Sequence, residues 1–350
     1  MGLTVENVSK NWPGFSLRNI SLTAEDGEYL IILGPMGAGK TLLLETIMGF
    51  YRPDTGRIIL DGKDITDLPT EKRRIGYVSQ TCALFPHLSV RENIEFGLIM
   101  HGVEKTKRKE TVDQLIEAMQ LKALERRRPT TLSGGEKQKV AIARVLAIEP
   151  KTILLDEPLT AVDDETKREL KNELKRIHET GKTILHVTHD QIEGFSLGDR
   201  MAIIKSGEIV QTGKAKEIFA KPKTSFVARF LGYENIFKAK IVENKGSETI
   251  VDVEGIQLRV SGEVKTTQFT IAIRPEDINV GLTPFRNEDL NILEGNIIEC
   301  VDQGPMVAVK IDAGLVIQTV MTRNSFFDLN LQAGQKAWLA FGSQAVKIVE

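Results

Sequence analysis

Residues 29–41, YLIILGPMGAGKT, constrain this chain more than any other stretch. A short apolar run ending at a glycine turn reads as a strand buried on both faces, and KTLLLETIMGF after it reads as a helix. Between them Gly34, Gly39, Lys40 and Thr41 satisfy G-x-x-x-x-G-K-[ST], with Pro35, Met36, Gly37 and Ala38 as the intervening loop. Glycines let backbone N–H groups turn inward around phosphate oxygens, and the helix start adds positive potential. In such a loop Lys40 reaches the β- and γ-phosphates and the Thr41 hydroxyl ligates Mg²⁺. The expectation is an α/β domain with a parallel sheet, taking ATP and Mg²⁺.

Other strand ends supply the remaining chemistry. TILLDEP buries Ile153, Leu154 and Leu155 and delivers Asp156 at its carboxyl end, where ligands of open α/β sheets bind. Asp156 suits Mg²⁺, and Glu157 suits a general base for water. TILHVTHD ends on His189, a neutral donor for a γ-phosphate. Gln80 ends the run GYVSQ and suits a Mg²⁺ ligand or a reporter of nucleotide state. Trp12, or Phe15 just after it, offers a face for adenine, and an aromatic belonging to the core is the equal alternative.

A second anion-holding helix start appears at Ser133, Gly134, Gly135 and Glu136, in TLSGGEKQKVAIAR. In isolation it is ordinary capping chemistry. One ATP fills two phosphate cradles only if they face each other. Two copies arranged head to tail would sandwich two ATPs, each between Lys40 of one copy and Ser133 of the other. Loss of the γ-phosphate would let the halves part.

At 350 residues the chain has room for two domains. Acids (48) and bases (46) nearly cancel, so bulk charge points to no nucleic-acid partner. Cys82 and Cys300 fit no metal spacing and read as free thiols of a reducing compartment. No apolar run approaches the length of a bilayer span, so a cytoplasmic chain is expected, with any membrane role coming through a partner. Polar helical text over about residues 86–150 suggests an inserted helical subdomain. After Tyr233 the text changes to alternating strands, in two halves that IAIRPEDINV and WLAFGSQAVKIV close in the same way. The boundary is placed near Gly232, dividing 1–232 from a small-barrel region at 233–350.

Taken together, GPMGAGKT, Gln80, LSGGE, TILLDEP and His189 resemble the nucleotide-binding subunits of ABC transporters over roughly the first two-thirds of the chain. They match, in order, that family's Walker A loop, Q-loop, signature, Walker B strand with catalytic Glu, and switch histidine. The resemblance implies a P-loop NTPase fold, ATP hydrolysis coupled to transport, and a homodimer of ATPase subunits. It also implies an integral membrane permease, an external substrate-binding protein reached through it, and a place on the cytoplasmic face of the cell membrane. Trp12 sits about where the family's adenine-stacking aromatic lies. LTAVDD departs from the usual SALD text but keeps Asp163 for contact across the dimer, and Lys139 stands where Arg is common. Phe85, Pro86 and Leu88 match the region that receives a permease helix, and an ordinary core segment is the equal reading.

The β-rich tail is similar to the OB-like, MOP/TOBE-type regulatory domains of molybdate/tungstate importer ATPases. Thr322, Arg323, Asn324 and Ser325, with Lys310 adding charge, offer the donors a tetrahedral oxyanion needs. Such a ligand would allow feedback inhibition by differential binding to one state. Importers of sulfate, iron, polyamines or sugars carry similar tails and remain the alternative. A soluble ABC protein outside transport is the remaining one.

Overall fold

The computed structural model describes residues 2–160, 162–264, 267–287 and 289–349. The chain divides into two units, one ending at Lys216 and one starting at Glu217.

Two sheets build the first unit. Strands β1 (Leu3–Trp12) and β2 (Phe15–Ala24) form a hairpin, and β3 (Tyr29–Leu33) leaves for the second sheet. Helix α1 (Lys40–Met48) follows, and β4 (Thr55–Leu60) and β5 (Lys63–Asp64) return to give an antiparallel sheet of order β2–β1–β4–β5. Sequence pattern did not announce this sheet. Register shifts break the β1–β2 ladder, and Asn7 and Asn19 sit at positive φ, so strict alternation of apolar and polar residues is lost.

The second sheet is the one the buried runs predicted. It takes β6 (Ile75–Val78), β7 (Thr152–Asp156), β8 (Thr183–Thr188), β9 (Arg200–Lys205) and β10 (Glu208–Lys214), in the order β10–β9–β3–β8–β7–β6. All its pairings are parallel except β9–β10. Every residue of β3, β7 and β8 is buried, as strands covered on both faces must be. Helices α2 (Val90–Met100), α3 (Lys105–Ala118) and α4 (Gly134–Ala147) occupy the stretch read as a helical insert. Helices α5 (Asp164–Glu179) and α6 (Gln191–Leu197) follow β7 and β8.

The chain passes from one unit to the other within α7 (Ala215–Ala220), and α8 (Ser225–Phe230) lies in the second unit. The division therefore falls earlier than the change of text near Gly232. The Tyr233 hydroxyl donates to Phe219 O at 2.9 Å, and the Arg274 guanidinium stands 4.3 Å from the Tyr233 ring centroid and 5.7 Å from that of Phe219. These contacts hold helical text to the β-rich unit.

In the second unit the duplication is visible in the topology. Strands β11 (Asn235–Asn244), β12 (Glu248–Val253), β13 (Ile256–Ser261) and β14 (Gln268–Ile273) form one set, followed by β15 (Asn279–Gly281). Strands β16 (Leu290–Asp302), β17 (Met306–Asp312), β18 (Val316–Thr322) and β19 (Lys336–Gly342) repeat it, followed by helix α9 (Arg323–Leu329) between β18 and β19 and by β20 (Lys347–Val349) at the end. The sheets run β13–β12–β11–β14–β20 and β18–β17–β16–β19–β15. The last strand of each half is thus exchanged into the other half's sheet.

Two buried asparagines stitch the same exchange. Asn235 donates to Gln318 O and accepts from Gln318 N, both at 2.7 Å. Asn291 donates to Arg259 O at 3.0 Å and accepts from Arg259 N at 2.6 Å. Each sits at the start of its half's first strand and clamps the third strand of the other half. One apolar core, including Val251, Ile271, Val309 and Phe341, spans both halves.

Candidate functional site

The glycine loop leaves β3 and turns into α1 at Gly39, whose φ is 98°. A Cβ there would stand 2.5 Å from the Phe15 ring, so a close approach as well as the dihedral demands glycine. Lys40 is buried, and its Nζ donates to Gly34 O at 2.9 Å and Pro35 O at 3.1 Å. The same Nζ lies 3.4 Å from Glu157 Oε1. Ala38 is buried in the loop and Met36 points outward, 85% exposed.

Asp156 ends β7 beside this loop. Its carboxylate accepts from Thr41 Oγ1 at 3.0 Å and from the Tyr77 hydroxyl at 3.3 Å. Burial pushes the Asp156 carboxyl up, opposed by those two donors and reinforced by the neighbouring Glu157 charge. A hydroxyl and a carboxylate in contact form a hard-oxygen pair that fits Mg²⁺.

Glu157 follows with φ 47°, in the left-handed region that disfavours a side chain, and its N–H donates to Val187 O at 3.0 Å. Its Oε2 is bonded to His189 Nδ1 at 2.8 Å and accepts from Thr160 Oγ1 at 2.9 Å. His189 is 40% exposed, and with Nδ1 engaged, Nε2 is left to meet another group. Lys40, Thr41, Asp156, Glu157 and His189 therefore come together from three separated segments. Tyr77 and Thr160 belong with them and were missed. Each is an ordinary residue near a strand end whose partner is settled only by folding.

Gln80 lies two residues past β6, exposed, and makes no hydrogen bond to this cluster among the described residues. Trp12 and Phe15 face each other across the β1–β2 turn. With Gly14, Ser16, Arg18, Gly37 and Ser206 they line an open cleft of about 470 Å³ against the glycine loop. Trp12 also packs edge-on against Tyr51, ring centroids 5.3 Å apart, so it is at once a packing aromatic and a wall of the cleft.

Ser133 caps α4 in a complete capping box. Its Oγ accepts from Glu136 N at 3.2 Å, and Glu136 Oε2 accepts from Ser133 N at 2.7 Å. At this helix start Ser133 and Gly134 are exposed and Gly135 is buried, and the first N–H groups of a helix have no partner within it. Among the described residues these groups make no hydrogen bond to Lys40, Glu157 or His189. A Cβ on Gly135 would meet Thr166 Cγ2 at 2.2 Å, so glycine there lets α4 approach α5. Asp163 caps α5 through Thr166, accepting its N–H at 3.0 Å and its hydroxyl at 2.8 Å.

In the second unit Thr322 caps α9, and its Oγ1 is 2.8 Å from Ser325 Oγ. Arg323 pairs with Asp302 at 3.0 Å. Thr322, Arg323, Asn324 and Ser325 thus share one turn. Lys310 does not join them, because it pairs across the ladder with Gln318 and bonds Glu299 at 3.1 Å, whereas Thr322 pairs with Met306.

The ABC transporter family profile matches residues 17–160, and the TOBE domain profile matches residues 287–348. The chain is 41% identical over 352 aligned positions to the molybdate/tungstate import ATP-binding protein of Pyrococcus abyssi, covering 99% of each chain. It is 39% identical to the spermidine/putrescine import ATP-binding protein of Thermotoga maritima, covering 90% of this chain and 88% of that one. Among solved structures, a dimeric post-hydrolysis ATP-binding cassette bound to ADP and Pi is similar at a TM-score of 0.56 and 32% identity. That match covers 61% of this chain and 98% of the other.

Proposed function

This chain belongs to the ATP-binding subunits of ABC importers, hydrolases that couple ATP cleavage to transport, and from that premise we propose how its residues divide the work. Lys40 and the Gly34–Gly39 backbone hold the β- and γ-phosphates. Thr41 and Asp156, with Gln80, hold Mg²⁺, which when bound offsets phosphate charge. Glu157 accepts a proton as water oxygen bonds to the γ-phosphorus and the bond to the ADP oxygen breaks. His189 Nε2 donates to the γ-phosphate, and Trp12 and Phe15 flank the base. Ser133, Gly134 and Gly135 of a second copy close the site from the opposite side, with Glu136 fixing their cap and Asp163 at the dimer contact.

The observation that carries this reading is the meeting of Lys40, Glu157 and His189 within hydrogen-bond or ion-pair reach. Replacing Glu157 by Gln is expected to lower steady ATP turnover roughly 10²- to 10⁴-fold and to trap an ATP-bound dimer on size exclusion. Undiminished turnover removes Glu157 as the base.

For the transported substrate we infer molybdate or tungstate, supported by the full-length likeness to importer subunits named for those oxyanions. A polyamine is the second reading, supported by the Thermotoga relative. Thr322, Arg323, Asn324 and Ser325 take the oxyanion for feedback inhibition, with Arg323 leaving Asp302 to do so and Lys310 adding charge from a distance. The chain sits at the cytoplasmic face of the membrane through a permease served by an external binding protein. No helix among the described residues is long and apolar enough to cross a membrane. Calorimetry of the full chain with molybdate, tungstate, sulfate, phosphate and spermidine tests this. Heat with molybdate or tungstate supports the oxyanion, spermidine alone favours the second reading, and no heat with either metal oxyanion overturns the tail site.

A further inference from the structure

Around the His189 turn runs a network of buried and half-buried polar groups that the hydrolytic roles above leave unused. Thr188 Oγ1 accepts the Asp190 N–H at 3.0 Å and donates to Glu193 Oε2 at 2.7 Å. Asp190 Oδ1 caps α6, accepting from Ile192 N at 2.7 Å and Glu193 N at 3.2 Å. Lys167 reaches in from α5 and bridges both acids, its Nζ 2.5 Å from Asp190 Oδ2 and 2.8 Å from Glu193 Oε1. Glu193 is 1% exposed, and its Oε2 also lies 3.5 Å from His186 Nε2, too far or misaligned to count as a hydrogen bond. His186 Nδ1 is bonded to the buried Tyr29 hydroxyl at 3.0 Å.

Burial alone would raise the Glu193 carboxyl. Its interactions with His186, Lys167 and Thr188 outweigh burial and hold it at about 2, so it is ionised at any working pH. A fully buried carboxylate needs a partner, and an apolar contact of the same size would fasten α5 to α6 at less cost. What the ionic arrangement adds is fixed geometry on both sides of His189. Lys167 also lies one residue after Thr166, which bonds the Asp163 cap. The side chain that pins the His189 turn therefore grows from the same helical turn as the Asp163 loop.

We propose that Lys167 is a positioning residue for hydrolysis, holding His189 against Glu157 and coupling the Asp163 loop to that contact. A second copy pressing on the Asp163 loop would thereby move His189. The inference rests on the assignment of Glu157 and His189 to ATP cleavage.

The test uses the purified full-length chain. Lys167→Met is expected to lower kcat roughly 10- to 100-fold while ATP Kd and KM stay within about twofold. Lys167→Arg, which still bridges two carboxylates, restores most of the turnover. His189→Ala is measured in parallel. If His189→Ala turns over ATP at the parent rate, the hydrolytic reading itself fails. If it is inactive while Lys167→Met keeps the parent rate, only the Lys167 role is overturned. Equal losses of kcat and ATP affinity in Lys167→Met also overturn it, since they report a structural defect. Should Lys167→Met fail to fold by stranding Glu193, the pair Lys167→Met with Glu193→Gln is judged by the same criteria, because it removes the orphaned charge and keeps an acceptor for Thr188. Non-additive losses on combining Lys167→Met with Asp163→Ala support the coupling, and additive losses refute it.

Discussion

The two units spend their buried polar groups differently. Among the described residues, every buried Asp, Glu, Lys, Arg or His side chain, including Lys40, Asp156, Glu157 and Glu193, lies in the first unit. The buried polar side chains of the second unit are amides and hydroxyls: Asn235, Thr249, Asn291, Thr319, Ser343 and the Tyr233 phenol. Its charges pair near the surface, as Lys310 does with Glu299 and Arg323 with Asp302. Buried charge is costly and persists where chemistry or geometry needs it, whereas a buried amide that fills both its bonds with backbone is an architectural clamp. The contrast separates a unit built around a reaction from a unit built around its own duplication.

The largest stability effect is expected at the clamps. Asn235→Ala and Asn291→Ala each leave a part-buried backbone N–H and C=O without their side-chain partner, and each should cost about 1–2 kcal/mol by denaturant titration, with ATP turnover unchanged. Equal costs would extend the duplication from topology to energetics. A large inequality would break the equivalence of the halves.

A pH profile sharpens the contrast from the other side. The folded-state value of Glu193 is held at about 2, below the ordinary 4.5, so its contribution is present above 4.5 and is lost as pH falls toward 2. The stability difference between the parent chain and Glu193→Gln should therefore shrink on acidification across that window. A difference that stays constant would mean that the Glu193 charge is not stabilised by folding.

The smallest effect belongs to the surface pairs of the second unit. Lys310→Ala should change stability by no more than about 0.5 kcal/mol, since solvent screens its pair with Glu299. A larger loss would show that charge carries structure in both units.

The parts of the site legible in the sequence were those written on contiguous residues. The glycine loop, the strand delivering Asp156 and Glu157, and the strand ending in His189 follow from short buried runs and turn chemistry. The capping box of Ser133 and Glu136 was equally plain. Tyr77, Thr160 and Lys167 were not legible, because nothing in IGYVS, PLTAV or DETKREL says what stands opposite. The antiparallel sheet at the start was hidden by its bulges. The likeness of the two tail halves was readable, but the exchange of β15 and β20 was not, since a three-residue strand pairs equally well with either edge until the rest of the sheet exists.

By itself the sequence determined the buried strands of the parallel sheet, the glycine turns beside them, and the likeness of the two tail halves, because these depend on periodicity and on residues adjacent in the chain. Only the tertiary structure decided that Lys40 meets Glu157, that Lys167 spans Asp190 and Glu193, and that Asn235 clamps Gln318. A buried polar group is satisfied by whichever partner packing brings to it, and that partner is chosen by the whole fold rather than by neighbours in sequence.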